Sequence, residues 1–519
     1  MKAVTNLFMT AVALLTLSYN QIINKSIGDR FTLYRLQDWV SYAPALVITS
    51  METDMNYVYF GTASGGILRY QRYQDKWEFP FTTSSGLSSN TILQLVYSDN
   101  EDFLYARTNK GIDVYRPADA FWRSSIGGIP SRQTNVPYTA NRDYRFPPGS
   151  RPGNDDLPDF FTGIGLMYFL GGTVQDEHNR KFNFTDRITD QMQRLWIGTD
   201  GIGPMMADLY TRNLEWLPQS IPNISPRDIF IDQDFMWIGG TFKQGAVHGL
   251  TLWDRGHNHW YYYEAPYLSG LFHDEALCIE GNEECVLFAT KYGLSYYNYD
   301  KDQWKSFSMV DGLEGEQIND IIIKSGYAFI ATESGFNWLD LSSLYIYELD
   351  QTTLDNYSIN QLAIRGEIIW AATYGGLYSI DLSKEKIIFH PSRAALPDQN
   401  LQSIEIVNDI MWIANERGIA RWDMVQDKWQ SFPGLSLARY LPIEERRVKF
   451  RDIAVTDDIV WFATNFGLLK YDESRNSWFL YTIDDGLLSN NLYHIDPEGE
   501  YLWISSEQGI TRFTWRRND

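Results

Sequence analysis

One local pattern recurs along this chain at a nearly constant interval, and it constrains the fold more than any other feature. An apolar run ending in Ala-Thr, or a close variant, is followed by two or three variable residues. A glycine comes next, then an apolar residue, a pair such as Tyr-Asp, and an aromatic residue that is usually Trp. The segments IVWFATNFGLLKYDESRNSWFLYT from Ile459, IMWIANERGIARWDMVQDKWQSF from Ile410, IIWAATYGGLYSIDLSKEKIIFH from Ile368 and CVLFATKYGLSYYNYDKDQWKSF from Cys285 all carry it, with Trp304, Trp429 and Trp478 as trailing aromatics. The marker glycines are Gly66, Gly111, Gly203, Gly249, Gly293, Gly335, Gly376, Gly418, Gly467 and Gly509, at successive spacings of 45, 92, 46, 44, 42, 41, 42, 49 and 42 residues. A repeat of about 40–45 residues is the length of one four-stranded β-propeller blade. The chain therefore reads as ten such units in an all-β fold.

Each unit divides into four strands. Asp452–Val455 is a first strand, Val460–Ala463 a second, Leu468–Tyr471 a third and Trp478–Tyr481 a fourth. The second is apolar throughout, as expected of a strand covered on both faces. The marker glycine falls at the tight turn into the third strand, where a positive φ is easiest for Gly. Asp457-Asp458, Ser325-Gly326 and Asn408-Asp409 punctuate other turns. The last unit reaches Phe513 and Trp515 without a fourth strand, and Asp38-Trp39-Val40-Ser41-Tyr42 resembles the missing one. Pairing the two closes the array and removes its exposed edges. One closing segment is visible, so the expectation is one ring of about ten blades closed by an N-terminal strand. Ten exceeds the usual range of about 4–8 blades, and two smaller propellers are the alternative.

Two segments interrupt the period. Ser125 to about Asp190 inserts roughly one extra period. It begins Pro/Gly-rich, YRFPPGSRPGNDDLPDF, and ends in a hairpin, LMYFLGGTVQDEHNRKFNFT, turning at Gly171-Gly172 or at Asp176-Glu177. A degenerate eleventh blade is the alternative. The second interruption is Pro433 to Lys449. Both fall on connections from an outer strand to the next inner strand, on the face that also carries the marker-glycine loops. The domain reading is a signal peptide over 1–20, propeller repeats over 29–519, and a loop-plus-hairpin insertion over 125–190 on the loop face.

Composition agrees with sheets. Hydrophobic residues make up 44% of the 519, and aromatics 15%, with Trp 18 and Tyr 33; flat and β-branched side chains pack well on a pleated surface. The net charge of −22 repels phosphate backbones and argues against nucleic acid as a partner. Cys278 and Cys285 are the only cysteines, which excludes a disulfide scaffold. A two-residue turn at Gly281-Asn282 would set them opposite each other at bridging distance; two free, partly buried thiols are the alternative. No Cys/His cluster has metal-ligand spacing, so no metal or cofactor is expected. At the start, Lys2, the apolar run Leu7 to Leu17, and the small residues Thr16 and Ser18 form a secretory leader pattern. That run is too short to span a bilayer comfortably, so a secreted or periplasmic protein without a membrane span is expected.

The linkers SSGLSSNTI from Ser84, VDGLEGEQI from Val310 and DDGLLSNNL from Asp484, taken with the units, carry a family resemblance. The unit pattern Gly-Leu-x-x-Asn-x-apolar, then apolar-Trp-apolar-Gly/Ala-Thr-x-x-Gly-Leu-x-x-Tyr/Trp-Asp, resembles the two-component regulator propeller repeat. The resemblance covers nearly all of the mature chain except 125–190. It implies a fold similar to the periplasmic sensing halves of hybrid histidine kinases, many of them linked to carbohydrate sensing. The pattern departs from the family after Phe513, where no membrane span, kinase or DNA-binding segment is visible, so only the extracytoplasmic propeller is implied.

Candidate binding residues lie on the marker-glycine loops and in the interruptions. On the loops these are Arg107 and Lys110, Lys243 and His248, Tyr292, Tyr374 and Arg417, alongside Asp200, Lys291, Glu333, Glu416, Phe466 and Glu507. Loop residues on a rigid scaffold are where propellers bind ligands; solvated turn tips are the plainer reading. Arg132, Arg142, Arg145 and Arg151 fall close together in the first interruption, and Arg439, Arg446, Arg447 and Lys449 in the second. These suggest a locally positive mouth for an anionic group such as an acidic glycan, with pairing to the acidic body as the plainer reading. Catalytic residues are not assigned. None of the seven histidines belongs to a nucleophile or metal motif, and Asp155, Asp156 and Asp159 lack a regular calcium loop. The expectation is a sensor-like binding propeller, with a glycan or small polar ligand and a protein of the cell envelope as partners. A propeller lyase or hydrolase acting on a polysaccharide or cyclic ester is one alternative. Streptogramin lyases, propellers of related repeat length, use His and Glu on one loop face, and His248 with Glu333 or Glu416 would imitate them. A detached sensor module for a separate histidine kinase is the other.

Overall fold

The computed structural model describes residues 38–516, apart from 118–120, 132–145, 164, 244–248, 349–356, 385, 392–398, 434–436 and 438–447. The leader reading over 1–20 lies outside these residues. The described strands form ten sheets, nine four-stranded and one seven-stranded. Numbered as blades in chain order, they span 48–81, 92–124, 161–216, 224–263, 278–307, 318–348, 359–390, 403–433, 450–481 and 492–514. Blades 1, 2 and 4–9 lie in simple chain order from inner to outer strand.

The repeated motif is a structural lock. In blade 9 the second strand Ile459–Thr464 is buried nearly end to end. The Thr464 hydroxyl donates to the Gly467 carbonyl at 2.7 Å and accepts from the Phe466 N–H at 3.0 Å. Gly467 has φ 130, and a Cβ there would stand 2.2 Å from the Tyr481 carbonyl oxygen. Only glycine fits both constraints. The same hydroxyl-to-carbonyl bond recurs from Thr290 to Gly293, Thr373 to Gly376 and Ser506 to Gly509. The Thr-x-x-Gly pattern thus fixes the hairpin between second and third strands.

The closing strand is present. Trp39–Tyr42 pairs antiparallel with the last strand, Trp39 opposite Phe513 and Tyr42 opposite Ile510. The Trp39 and Phe513 rings stack at 3.9 Å, and Trp39 is 3% exposed.

The ring it completes contains seven blades, which corrects the expectation of ten in one ring. The inner strand of each blade from 4 to 10 packs on that of the next, and blade 10 returns to blade 4. Ser505 of blade 10 donates to the Arg227 carbonyl of blade 4 at 2.9 Å. Seven lies within the usual blade number. Blades 1–3 form a separate open fan in the spatial order 3, 1, 2: Asp186 of blade 3 accepts from Met51 of blade 1, and Ser50 of blade 1 from Leu95 of blade 2. The fan abuts the ring, with Arg512 lying over Phe79 and Arg180 paired to Glu264 at 2.7 Å.

The described residues of the first interruption join blade 3 and make no eleventh blade. Leu166–Phe169 and Thr173–Asp176 extend its inner edge, and Phe161–Thr162 adds in parallel to its outer edge. Turns fall at both expected places, since Leu166 pairs with Asp176 and Gln175 with Lys181. Phe146, Leu157, Phe160, Val174, Phe182 and Phe184 bury the flank of blade 3 that has no neighbouring blade. Blade 2 keeps a half-open flank. Its second strand Phe103–Thr108 alternates buried with half-buried or exposed positions, where the matching strands of the ring are buried nearly throughout.

The cysteines are free and buried. Gly281 pairs with Val286, so the two-residue turn is Glu283-Glu284. Cys278 then faces Ala289 and Cys285 faces Asn298, and the pairing expected from a turn at Gly281-Asn282 is corrected.

Candidate functional site

The inner strands of the ring line an axial channel, and their register puts one polar column on it. Asp228, Cys278, Asp320, Gln361, Ser403, Asp452 and His494 occupy the same position in blades 4–10, each opposite a Gly, Ala or Ser of the second strand. Four of them accept from the backbone of the following blade: Asp228 from Ile279, Asp320 from Leu362, Gln361 from Ile404 and Asp452 from Ile495, at 2.7–2.9 Å. Buried carboxylates that accept backbone N–H bonds hold adjacent elements in register. His494 closes the belt, its Nδ1 2.9 Å from Asp452 and its Nε2 3.3 Å from Asp228.

One layer further along the same strands are Glu280, Glu405 and Asp496. Burial, then the neighbouring carboxylates, pushes Glu280 and Glu405 up to about 8. Burial lifts Asp320 to about 7 and Asp496 to about 6. Burial opposes charge on His494, but Asp228 and Asp452 outweigh it and raise the imidazole to about 10. The channel interior therefore carries one cationic His beside Asp228 and Asp452, with Glu280 and Glu405 holding protons near neutrality.

The opposite layer, at the loop end, is built by β-bulges. Bulges place Arg227, Asn319, Asn360, Arg451 and Tyr493 beside the belt, and a bulge re-aims a side chain. Asn319 and Asn360 donate to carbonyls of the next blade, Ile359 at 2.9 Å and Leu401 at 2.6 Å. Arg451 donates to Asn491 at 2.8 Å and to the Leu492 carbonyl of blade 10. Arg227 departs from this latch: its Nε is buried without a hydrogen-bond partner. Its guanidinium lies 3.9 Å from the Tyr493 ring centre, and that of Arg451 lies 4.3 Å from it.

The candidates read from the sequence divide between ring and fan. Lys243, Tyr292, Tyr374 and Arg417 lie on the hairpins at the loop end of the ring. Those hairpins are tied to the start of the inner strands, Lys243 N–H to Asn223 and Tyr374 N–H to Ser358. Tyr292 is 43% and Tyr374 69% exposed. Tyr292 packs on His273 at 4.8 Å, and its neighbour Lys291 pairs with Glu275 at 2.9 Å. Arg107 and Lys110 are exposed on blade 2 of the fan, away from that rim. Arg151 is not a free loop cation. It pairs with Asp186 at 2.6 Å and Glu52 at 3.1 Å and ties blade 3 to blade 1. Arg142, Arg145, His248, Arg446 and Arg447 lie outside the described residues.

Chemistry elsewhere is engaged in structure. Glu333 accepts from the Glu316 N–H at 3.0 Å, and Glu416 stands two blades away. Ser379 lies 2.8 Å from His390 Nε2, but on the outer strands of blade 7 with the serine buried. A crevice of about 770 Å³ between fan and ring is lined by Trp77, Trp253, Arg255 and Glu498, and that arginine and glutamate are paired at 2.7 Å. No group of three His, Cys, Asp or Glu suited to a metal occurs among the described residues.

Sequence reasoning placed Asp452 in a first strand and counted His494, but missed the column to which they belong. The signal is a polar residue directly before an Ile or Leu of each inner strand, as in RDIF, NDII, NQLA, RDIA and YHID.

The molecule is thus a seven-bladed β-propeller carrying a three-bladed fan. No family model matches the chain, and no curated protein matches it. Among solved structures it is similar to the extracellular domain of the hybrid two-component system BT4673 of B. thetaiotaomicron, with a TM-score of 0.45, 13% identity, and 91% of this chain and 70% of that chain covered. It is similar to the corresponding domain of BT3049, with a TM-score of 0.46, 16% identity, and 90% and 75% covered. It is also similar to PorZ, a surface component of the type-IX secretion system of Porphyromonas gingivalis, with a TM-score of 0.46, 12% identity, and 90% and 74% covered. Identities this low concern the fold alone.

Proposed function

We propose that this chain is an extracytoplasmic, sensor-like binding propeller that recognises a glycan or another small polar ligand on the loop face of its seven-bladed ring, at the cell envelope. The observation that carries this reading is the exposure of Tyr292 and Tyr374 on hairpins locked by their Thr-to-Gly bonds. Large rings left in solvent on a rigid frame offer stacking area at little entropic cost. The leader pattern supports the extracytoplasmic setting, and among the described residues no helix is long and apolar enough to cross a membrane.

A glycan and small-molecule array probed with the chain tests the reading. A bound compound should lose at least about tenfold in affinity in Tyr374→Ala or Tyr292→Ala, a loss of about 1.4 kcal/mol or more. An array with no binder, or a binder indifferent to both substitutions, defeats it.

A further inference from the structure

The loop-end mouth of the axial channel holds cations that the fold leaves uncompensated. Arg227, Tyr493 and Arg451 come from blades 4, 10 and 9, which are consecutive around the ring, so the tyrosine stands between two arginines. Its ring faces offer each guanidinium a cation–π contact, at 3.9 and 4.3 Å. That contact does not neutralise the charge. The described residues give Arg227 no ion pair, and its buried Nε has no partner. Arg451 bonds only to the neutral Asn491 side chain and the Leu492 carbonyl.

Lys243 stands at the same end of blade 4, half-buried, with its N–H bonded to Asn223 just before the inner strand. Burial disfavours its charge, and Glu507 partly opposes this. Glu507 is the acid that also acts on Arg451, and Asn491 holds its carboxylate at 3.1 Å. Lys243 and Arg451 thus share one carboxylate, and the described residues give Arg227 none. Two like charges held about a tyrosine apart, with one anion too few, is an arrangement that an incoming anion relieves.

We propose that Arg227 and Arg451, flanking Tyr493 and assisted by Lys243, form a binding site for an oxyanion, a carboxylate or a sulfate or phosphate ester, at the axial mouth of the ring. This deepens the loop-face reading above and rests on it for the rest of the ligand. Guanidinium forks bind such groups by charge-assisted, often bidentate hydrogen bonds. The Arg227 Nε is an unfilled donor for one of them.

The test titrates the chain with sodium sulfate, sodium phosphate and sodium glucuronate against sodium chloride at matched ionic strength, read by calorimetry. Saturable binding of at least one of the three is expected. It should weaken at least tenfold in Arg227→Met and in Arg451→Met, and stay unchanged in Arg107→Met on the fan. Glu507→Gln removes the competing carboxylate and should tighten binding about threefold, a change of sign that a merely unfolded variant does not give. Which of the three anions binds separates the ester from the carboxylate source. Absence of saturable binding, or binding equal in all four variants, overturns the proposal. A neutral glycan bound through Tyr374 without any anion response sinks this site and leaves the loop-face reading standing. Anion binding with an empty glycan array does the reverse.

Discussion

His494 and the carboxyls around it make the ring sensitive to pH through single side chains. Glu280 and Glu405 are lifted to about 8, above their unfolded values, so the folded state binds more protons than the unfolded state from about pH 4.5 upward. His494 is lifted to about 10; the stability it contributes is complete below about pH 6.5 and is lost as pH rises through about 10. Both effects run in one direction, and the melting temperature should fall steadily from pH 5 to pH 10 in a thermal scan. Glu280→Gln removes a carboxyl whose ionisation is unfavourable inside the channel. At pH 9 the variant should melt on the order of a few degrees above the parent, and at pH 5 the two should coincide. A constant difference across the range would show that Glu280 acts through packing. The free thiols give a second check. Cys278 and Cys285 are buried and unbonded, so a thiol reagent should titrate both after denaturation and neither rapidly before it. The belt residues were legible in principle, as a polar column at the repeat period. Their pairing was not, because His494 meets Asp228 across 266 residues of chain and only ring closure brings them together.

Among the elements, the short strand Trp39–Tyr42 has the largest leverage. It supplies the outermost strand of blade 10 and buries Trp39 against Phe513 and Tyr481. Trp39→Ala leaves a large cavity, a change that costs about 3–5 kcal/mol, and should lower the ring's melting transition without altering the fan. The strand was recognisable because the final repeat stops one strand short and the missing composition recurs near the start. The hairpin of the cysteines shows the limit of such reading. Gly281-Asn282 has the composition of a turn, yet the chain turns at Glu283-Glu284, where Asn282 accepts from the Cys285 and Glu284 N–H groups. Register is set by which faces the neighbouring blades must bury, and turn composition alone does not contain that demand. Likewise the residues of the insertion read as loop and hairpin, while their role as a cap became visible only when Phe146, Phe182 and Phe184 met blade 3.

For the whole molecule, the division into a closed ring and an open fan predicts unequal stability. Every ring blade has two neighbours, whereas the fan relies on a cap at one end and the alternating strand of blade 2 at the other. Arg151 is the tie between blades 3 and 1, about 16% exposed with partners 11% and 14% exposed. Arg151→Met leaves Glu52 and Asp186 without their cation, a loss of about 3 kcal/mol. Calorimetry should then show two transitions, the lower one shifted and the upper one unchanged; a single shifted transition would mean that fan and ring unfold as one. The sequence by itself determined the blade and its lock, because a period of about 42 residues with Thr-x-x-Gly fixes strand order and hairpin geometry through local bonds. It also determined that an N-terminal strand completes the final sheet. Only the tertiary structure decided that the ring closes at seven and that the chain's first three blades stand outside it. Closure depends on the angle at which neighbouring blades pack, a property of the contact between repeats and of no repeat alone. The same reason governs the site: the arginines foreseen in the interruptions include one buried in an internal ion pair, while Arg227 and Arg451 share a mouth because blades 4 and 9 flank blade 10 around one axis.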